Sequence, residues 1–146
     1  MSTTSNQSRL YGQIIEESSD GVLFADRRGV IRVWNSGAER MFGIAAEEAI
    51  GQSLDLIIPE NLRSRHWEGY FRVMESGDTK YRTGLLTSPG MRRDGSRISL
   101  EFSMSVVRDD NGEVVGCASI LRDVTTRWQK EKEMRERLKS LEESGR

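Results

Sequence analysis

The chain contains one histidine, His66, and its surroundings decide what metal chemistry the sequence could support. Residues after Pro59 show helical spacing, with a proline at the first turn. The apolar face of this predicted helix carries Leu62, His66, Tyr70 and Val73. A neutral imidazole is a common metal ligand, so His66 is a candidate ligand. The other interpretation is a core histidine that is hydrogen-bonded to the backbone.

A single histidine restricts the kind of metal site that the chain can build. A zinc site made only of protein needs several Cys, His, Asp or Glu ligands, and the pattern around His66 offers no such partner. Haem differs because the porphyrin supplies the equatorial nitrogens, and the protein needs to contribute only a proximal histidine. Spacing alone therefore leaves both interpretations of His66 open.

Composition indicates a soluble domain in a reducing compartment. The 146 residues carry 22 basic and 23 acidic side chains, a balance that gives no electrostatic footprint for nucleic acid. No apolar stretch approaches the length of a membrane span. The single cysteine, Cys117, cannot form an internal disulfide. We therefore expect a cytoplasmic location, with neither nucleic acid nor a membrane as partner.

The sequence lacks the motifs of common catalytic and phosphate-binding sites. It contains no Gly-x-Gly-x-x-Gly and no Walker-type loop. Ser64 and Ser99 are possible nucleophiles, but His66 is the only histidine that could act as their base, and no third group is indicated to orient it. We therefore expect that the chain is not an enzyme.

The order of elements predicts an α+β fold. Two strands are followed by short helices, including one over residues 59–74, and then by three strands. The predicted strands are residues 21–25, 30–34, 80–86, 97–107 and 114–121. Pro89 and Gly90 are expected to break the chain after the third strand. The last strand is apolar on both faces and should be central in a five-stranded antiparallel sheet. Short helices over one face of this sheet would leave an enclosed space for a ligand.

A set of short motifs, in this order and spacing, resembles the PAS family of sensory modules. The motifs are Ser-Asp-Gly-Val at 19–22, Asn35 followed by Ala-Glu-Arg-Met-Phe-Gly at 38–43, Gly-Gln-Ser at 51–53, Arg-Arg-Asp-Gly at 92–95 and Arg-Asp-Val-Thr at 122–125. The resemblance implies a PAS sensor domain over residues 9–126. Residues 1–8 are expected to be disordered, and residues 127–146 to form an amphipathic, coiled-coil linker helix that carries the signal.

Within the PAS family, Arg-Ser-Arg-His at 63–66 resembles the haem-binding oxygen sensors of the FixL type. This resemblance implies that His66 is the proximal ligand of haem b, in a sensor of a diatomic gas or of redox state. Arg72 matches a basic residue near the haem propionates, and Lys80 stands where the family often has a histidine that contacts a propionate. Tyr70, one turn beyond His66, completes this side of the predicted site.

The predicted distal side of the pocket departs from those oxygen sensors. Leu86 stands at the position of the arginine that hydrogen-bonds bound oxygen in them, and Leu100, Phe102 and Met104 complete an apolar wall. A pocket without a hydrogen-bond donor favours CO or NO over O₂. Because Phe102 and Met104 are bulky, the alternative is a PAS interaction and dimerisation module with a packed cavity or another small apolar ligand.

Apolar residues near both ends of the chain predict a homodimer. They lie outside the predicted core, on two terminal helices, and such stripes suggest a partner surface. The residues are Leu10, Ile14 and Ile15 near the start, and Trp128, Met134, Leu138 and Leu141 near the end. The PAS resemblance also implies a separate signalling effector as a partner, such as a histidine kinase or a regulator.

Overall fold

The computed structural model describes residues 3–78 and 84–145 of the chain. A five-stranded antiparallel sheet, with the strand order β2-β1-β5-β4-β3, forms one layer. The strands are β1 (Gly21–Asp26), β2 (Ile31–Trp34), β3 (Leu86–Met91), β4 (Arg97–Arg108) and β5 (Val114–Asp123). The predicted α+β class is confirmed, and β5 is central, as its two apolar faces predicted.

Helices precede, cover and follow the sheet. Between β2 and β3 the chain forms short helices and one longer helix that carries His66. The α-helices are α1 (Thr3–Glu17), α2 (Ser36–Phe42), α3 (Ala46–Ala49), α4 (Arg63–Ser76) and α5 (Thr125–Ser144), with 3₁₀ turns at Leu54–Ile57 and Glu60–Leu62. Helix α4 ends at Gly77, whose φ of 69° supplies the left-handed cap that favours glycine.

The core lies between the sheet and the helices that cross it. Alternate residues of β4 face the helices, as the period of two predicted. Ile98 and Leu100 are buried there, in one cluster with Phe42 of α2 and Met74 of α4. Complete burial of a side chain such as Phe42 contributes about 1.5–3 kcal/mol, so this layer is a main source of stability.

The third strand lies later in the chain than predicted. β3 begins at Leu86 and runs through Pro89 and Gly90, paired with β4 along its length. Proline is tolerated because β3 is an edge strand, where one row of backbone groups needs no ladder partner. Gly90 lies close to β4, since a Cβ there would lie 2.6 Å from Cδ1 of Leu100 and would make that side chain shift. Residues 80–83 of the predicted strand lie outside the described residues.

Helix α1 starts earlier than its sequence pattern predicted. It begins at Thr3, within the stretch expected to be disordered, rather than near Arg9. Its C-terminal end is anchored on the domain, because side chains of Asn35 and Ser36 donate hydrogen bonds to its last carbonyl groups. An anchored end removes part of the cost of helix nucleation and lets the helix extend.

Candidate functional site

Two aromatic side chains connect helix α4 to its neighbours. The hydroxyl of Tyr70 lies 2.5 Å from the carbonyl oxygen of Asp26 and 3.1 Å from that of Ala25, both in β1. One turn earlier, the indole nitrogen of Trp67 donates to the carboxylate of Asp55 over 2.7 Å. These bonds connect α4 to the sheet and to the preceding 3₁₀ turn.

The ring of Trp67 also lies against the turn between β1 and β2. At Gly29 a Cβ would come within 2.1 Å of the Trp67 ring, and φ is +81°. Both the close approach and the left-handed conformation require glycine at this position. The hairpin turn and α4 therefore pack directly on each other.

His66 lies between these aromatic residues and is half-buried. Its ring centroid is 4.8 Å from that of Trp67 and 5.7 Å from that of Tyr70. Among the described residues, Nδ1 of His66 is the only buried side-chain nitrogen or oxygen without a hydrogen-bond partner. Burial lowers the pKa of His66, although the charge of Asp55 opposes this change. His66 is therefore held as a neutral imidazole with an unused buried nitrogen.

The other predicted site residues are brought together only in part. Tyr70 and Leu100 are buried in one core, and Phe102 and Met104 pack against it. Leu86 is half-buried and pairs with Phe102 across β3 and β4. Four of these residues therefore belong to the core or pack against it, and Leu86 is the sheet neighbour of one of them.

Arg72 does not join this group. Arg72 is exposed and forms an ion pair with Glu68 over 3.2 Å on the solvent side of α4. Lys80 lies outside the described residues. The contacts of Arg72 and Lys80 with the haem propionates therefore stay predictions.

The donor chemistry of the site suits haem, but the space between α4 and the sheet does not. Aromatic and aliphatic side chains fill that layer, and Tyr70 bonds directly across it. Two clefts open elsewhere on the described residues, with volumes of about 460 and 290 Å³. The first is lined by Arg27, Met74, Gly77 and Arg108 among others, and the second by Asp20, Gly37, Arg40 and Arg122 among others. Neither of these two clefts is bordered by His66, and a porphyrin beside His66 would require the packed layer to open.

A family model for the PAS fold matches residues 9–124. The chain belongs to the PAS family. This membership confirms the resemblance inferred from the five motifs, and the five-stranded sheet with its covering helices is the PAS fold.

Relatives of this PAS domain include sensor proteins. It is 28% identical over 124 residues to the sensor protein FixL of Bradyrhizobium diazoefficiens, covering 84% of this chain and 24% of that protein. It is 31% identical over 134 residues to the sensor protein kinase WalK of Staphylococcus epidermidis, covering 91% of this chain and 20% of that protein. The chain thus spans about a quarter or less of these relatives.

A solved structure shows the same fold. The PAS domain of a protein from Colwellia psychrerythraea superposes with a TM-score of 0.69 at 22% identity, covering 82% of this chain and 98% of that one. Among helices of the described residues, none combines the length and apolarity needed to cross a membrane.

The described part of this PAS domain offers no cluster of metal ligands made of protein alone. No group of three or more His, Cys, Asp or Glu side chains there could hold a metal ion. Cys117 is buried, which raises the pKa of its thiol to about 11 and keeps it protonated. His66 remains the candidate metal ligand among the described residues.

Sequence reasoning missed the contacts that hold Trp67, the neighbour of His66, in place. Asp55 is twelve positions from its partner Trp67, and Gly29 approaches the same ring from another element. No local pattern connects these three residues. The sequence predicts that Gly29 ends a tight turn, but it does not predict that Gly29 contacts Trp67.

Proposed function

We propose that this PAS domain is the sensory module of a larger signalling protein, without a catalytic role of its own, and that it passes its state to α5. One observation supports this most directly. β5 is paired on both sides, with β1 and with β4, and only Val124 separates its end from the start of α5. A change in the layer under α4 would therefore act on a strand that leads straight into the terminal helix.

The best-supported state of the module has a packed interior. Tyr70 bonds directly to β1, and the inner face of β4 is filled by the core. In this version the domain acts through interaction and dimerisation, or takes a small apolar ligand after its side chains rearrange. This is the alternative that the bulky Phe102 and Met104 favoured at the sequence level.

A second candidate is supported by His66. We propose haem b as the cofactor to test there, for sensing of a diatomic gas or of redox state. The unpartnered buried Nδ1 and the motif at residues 63–66 support this candidate. Haem would supply an iron centre, His66 would be the residue that holds it, and Leu86 with Phe102 would border the space beside it. That arrangement requires the present packing to open.

Reconstitution with hemin separates the two candidates. If haem binds through His66, the protein gains a Soret band, and His66→Ala removes it or shifts it strongly. Glu75→Ala is the matched control on the same helix, because Glu75 is exposed and is not a residue of the predicted haem site. If the unchanged chain takes up no haem, the packed module is the function that stands. A Soret band that His66→Ala leaves unaltered would refute the proximal role.

We propose that the module works as a homodimer through its terminal helices, next to an effector such as a histidine kinase or a regulator. Large apolar side chains on α1 and α5 are exposed, among them Ile14 at 60% and Leu141 at 61%. Two relatives are a sensor protein and a sensor protein kinase, which supports an effector of this type. The free thiol of Cys117 supports a cytoplasmic location.

A further inference from the structure

Asn35 is the most completely bonded buried polar side chain near the base of α1. It is 1% exposed, and its amide oxygen accepts hydrogen bonds from the backbone nitrogens of Val22 at 2.8 Å and Ala38 at 2.9 Å. The second bond caps α2, a common use of asparagine. The amide oxygen thus bonds to both β1 and α2.

The nitrogen of the same amide serves a different element. Nδ2 donates to the carbonyl oxygen of Ile15, near the end of α1, over 2.7 Å. It also donates to the carbonyl oxygen of Asp20, just before β1, over 3.0 Å. The amide nitrogen of Asn35 therefore bonds to the end of α1 and to the residue before β1, while the amide oxygen bonds to β1 and α2.

The path continues from Asp20 to the other end of the domain. The carboxylate of Asp20 accepts from Nε and Nη2 of Arg122, at 3.3 and 3.2 Å. Arg122 is the second-to-last residue of β5, and the last residue, Asp123, accepts a hydrogen bond from the backbone nitrogen of Thr125 at the start of α5. A continuous chain of contacts thus connects α1 to α5.

The backbone at Asp20 is tightly packed against the start of α2. At Gly37, in the first turn of α2, a Cβ would lie 2.1 Å from the carbonyl oxygen of Asp20. The backbone before β1 is therefore pressed against α2, where Asn35 provides the cap. A shift of Asp20 must move either the end of α1 or the side chain of Arg122.

We infer that Asn35, Asp20 and Arg122 form a joint that fixes the direction of α1 relative to α5. They are positioning residues, and the inference deepens the proposed function, on which its meaning for signalling rests. Two terminal helices can form one partner surface only if their relative direction is set. The joint supplies that constraint within a single chain.

The two halves of the joint differ in strength. Asn35 is buried, so its bonds are shielded from water. The side chain of Arg122 is 66% exposed, so its pair with Asp20 is weakened by salt. The joint therefore has a firm part on α1 and a salt-sensitive part towards α5.

Asn35→Asp tests the joint selectively, because aspartate keeps both acceptor bonds and loses both donor bonds. Spin labels at Gln13→Cys and Gln129→Cys, in a Cys117→Ala background, report the distance between α1 and α5 in the full chain. An excess of unlabelled chain restricts the signal to pairs within one molecule. We expect a narrow distance distribution in the reference and a clearly broader one with Asn35→Asp.

Arg122→Ala is the second arm and changes only an exposed side chain, so the fold is retained. We expect an intermediate broadening, reproduced in the reference protein by high salt, and no added broadening when Arg122→Ala is combined with Asn35→Asp. Arg72→Ala removes a comparable exposed ion pair away from the joint and should change nothing. Distances need neither haem nor signalling output, so failure of the proposed function leaves this test intact.

Two results overturn the inference. One is a folded Asn35→Asp protein, judged by circular dichroism, with an unchanged distance distribution. The other, which decides the matter if Asn35→Asp does not fold, is an unchanged distribution in both Arg122→Ala and Asp20→Asn.

Discussion

The hydroxyl of Tyr70 donates to the carbonyl oxygen of Asp26 over 2.5 Å and fastens α4 to the last residue of β1. Burial raises the pKa of Tyr70, so the hydroxyl remains a donor at neutral and alkaline pH. The carboxylate of Asp26 accepts from the backbone nitrogens of Arg28 and Val30 in the following turn. Asp26 therefore connects α4, β1 and the hairpin turn.

Tyr70→Phe removes this connection while it keeps the aromatic ring in the core. A net hydrogen bond contributes about 0.5–1.5 kcal/mol, so we expect the free energy of unfolding to fall by about 1 kcal/mol in urea denaturation. Tyr11→Phe is the matched control, because Tyr11 is 58% exposed on α1. Equal stability of the two variants would contradict the role assigned to the hydroxyl.

Gly29→Ala tests the contact between the hairpin turn and Trp67. Gly29 and Gly95 both have left-handed backbones, with φ of +81° and +87°, but only Gly29 faces a close neighbour. Gly95→Ala therefore measures the backbone strain alone, and Gly29→Ala adds the displacement of the Trp67 ring. We expect Gly29→Ala to lower the free energy of unfolding by about 1–3 kcal/mol more than the control. A similar loss in both variants would show that the ring moves aside freely.

His66 should make the stability of the ligand-free domain depend on pH. Its pKa in the fold is lowered by burial from the usual value of 6.5, so the unfolded chain binds the proton more readily than the fold does. The contribution of the neutral imidazole is complete above pH 6.5 and declines as the pH falls below it. We expect urea midpoints to decrease with falling pH in that range.

His66→Gln provides the control for this pH dependence. No other histidine is present in the chain, so the variant should lose most of the slope just below pH 6.5 while the slope caused by carboxylates at lower pH remains. An unchanged slope in the variant would mean that the pKa of His66 is the same in the folded and unfolded states.

The sheet could be predicted from the sequence more completely than the candidate site could. The alternation of β4 and the two apolar faces of β5 are local patterns, and both strands formed as predicted. Pro89 was misleading because its tolerance depends on the edge position of β3, which is a property of the whole sheet. The Pro-Gly pair therefore predicted a break in the chain, although these residues form a strand through their pairing with β4.

The surroundings of His66 depended on contacts distant in the chain. Helical spacing correctly placed His66 and Tyr70 on the same side of α4. It could not show that Tyr70 bonds to β1, or that the layer meant for a ligand is filled. Side-chain volume and non-local hydrogen bonds decide whether such a space exists, and neither is visible in the period of a single helix.

Dimerisation through α5 predicts that charge on its apolar stripe separates the protomers. Leu138 and Leu141 are 58% and 61% exposed in the single chain, so their replacement should not disturb the core. Leu138→Glu with Leu141→Glu places like charges opposite each other in a parallel pair of helices. We expect light scattering to show a mass that falls from the dimer towards the 16.6 kDa of one chain.

Gln129→Glu with Ser140→Glu adds the same charge to α5 away from the stripe and should leave the dimer intact. Circular dichroism must show that the PAS fold is retained in both double variants, so that a loss of mass reports the interface. If the dimer persists in Leu138→Glu with Leu141→Glu, and also after deletion of residues 127–146, α5 is not the main interface. The exposed stripe of Leu10, Ile14 and Ile15 on α1, or the sheet, which exposes Val33 and Ile120, would then have to supply it.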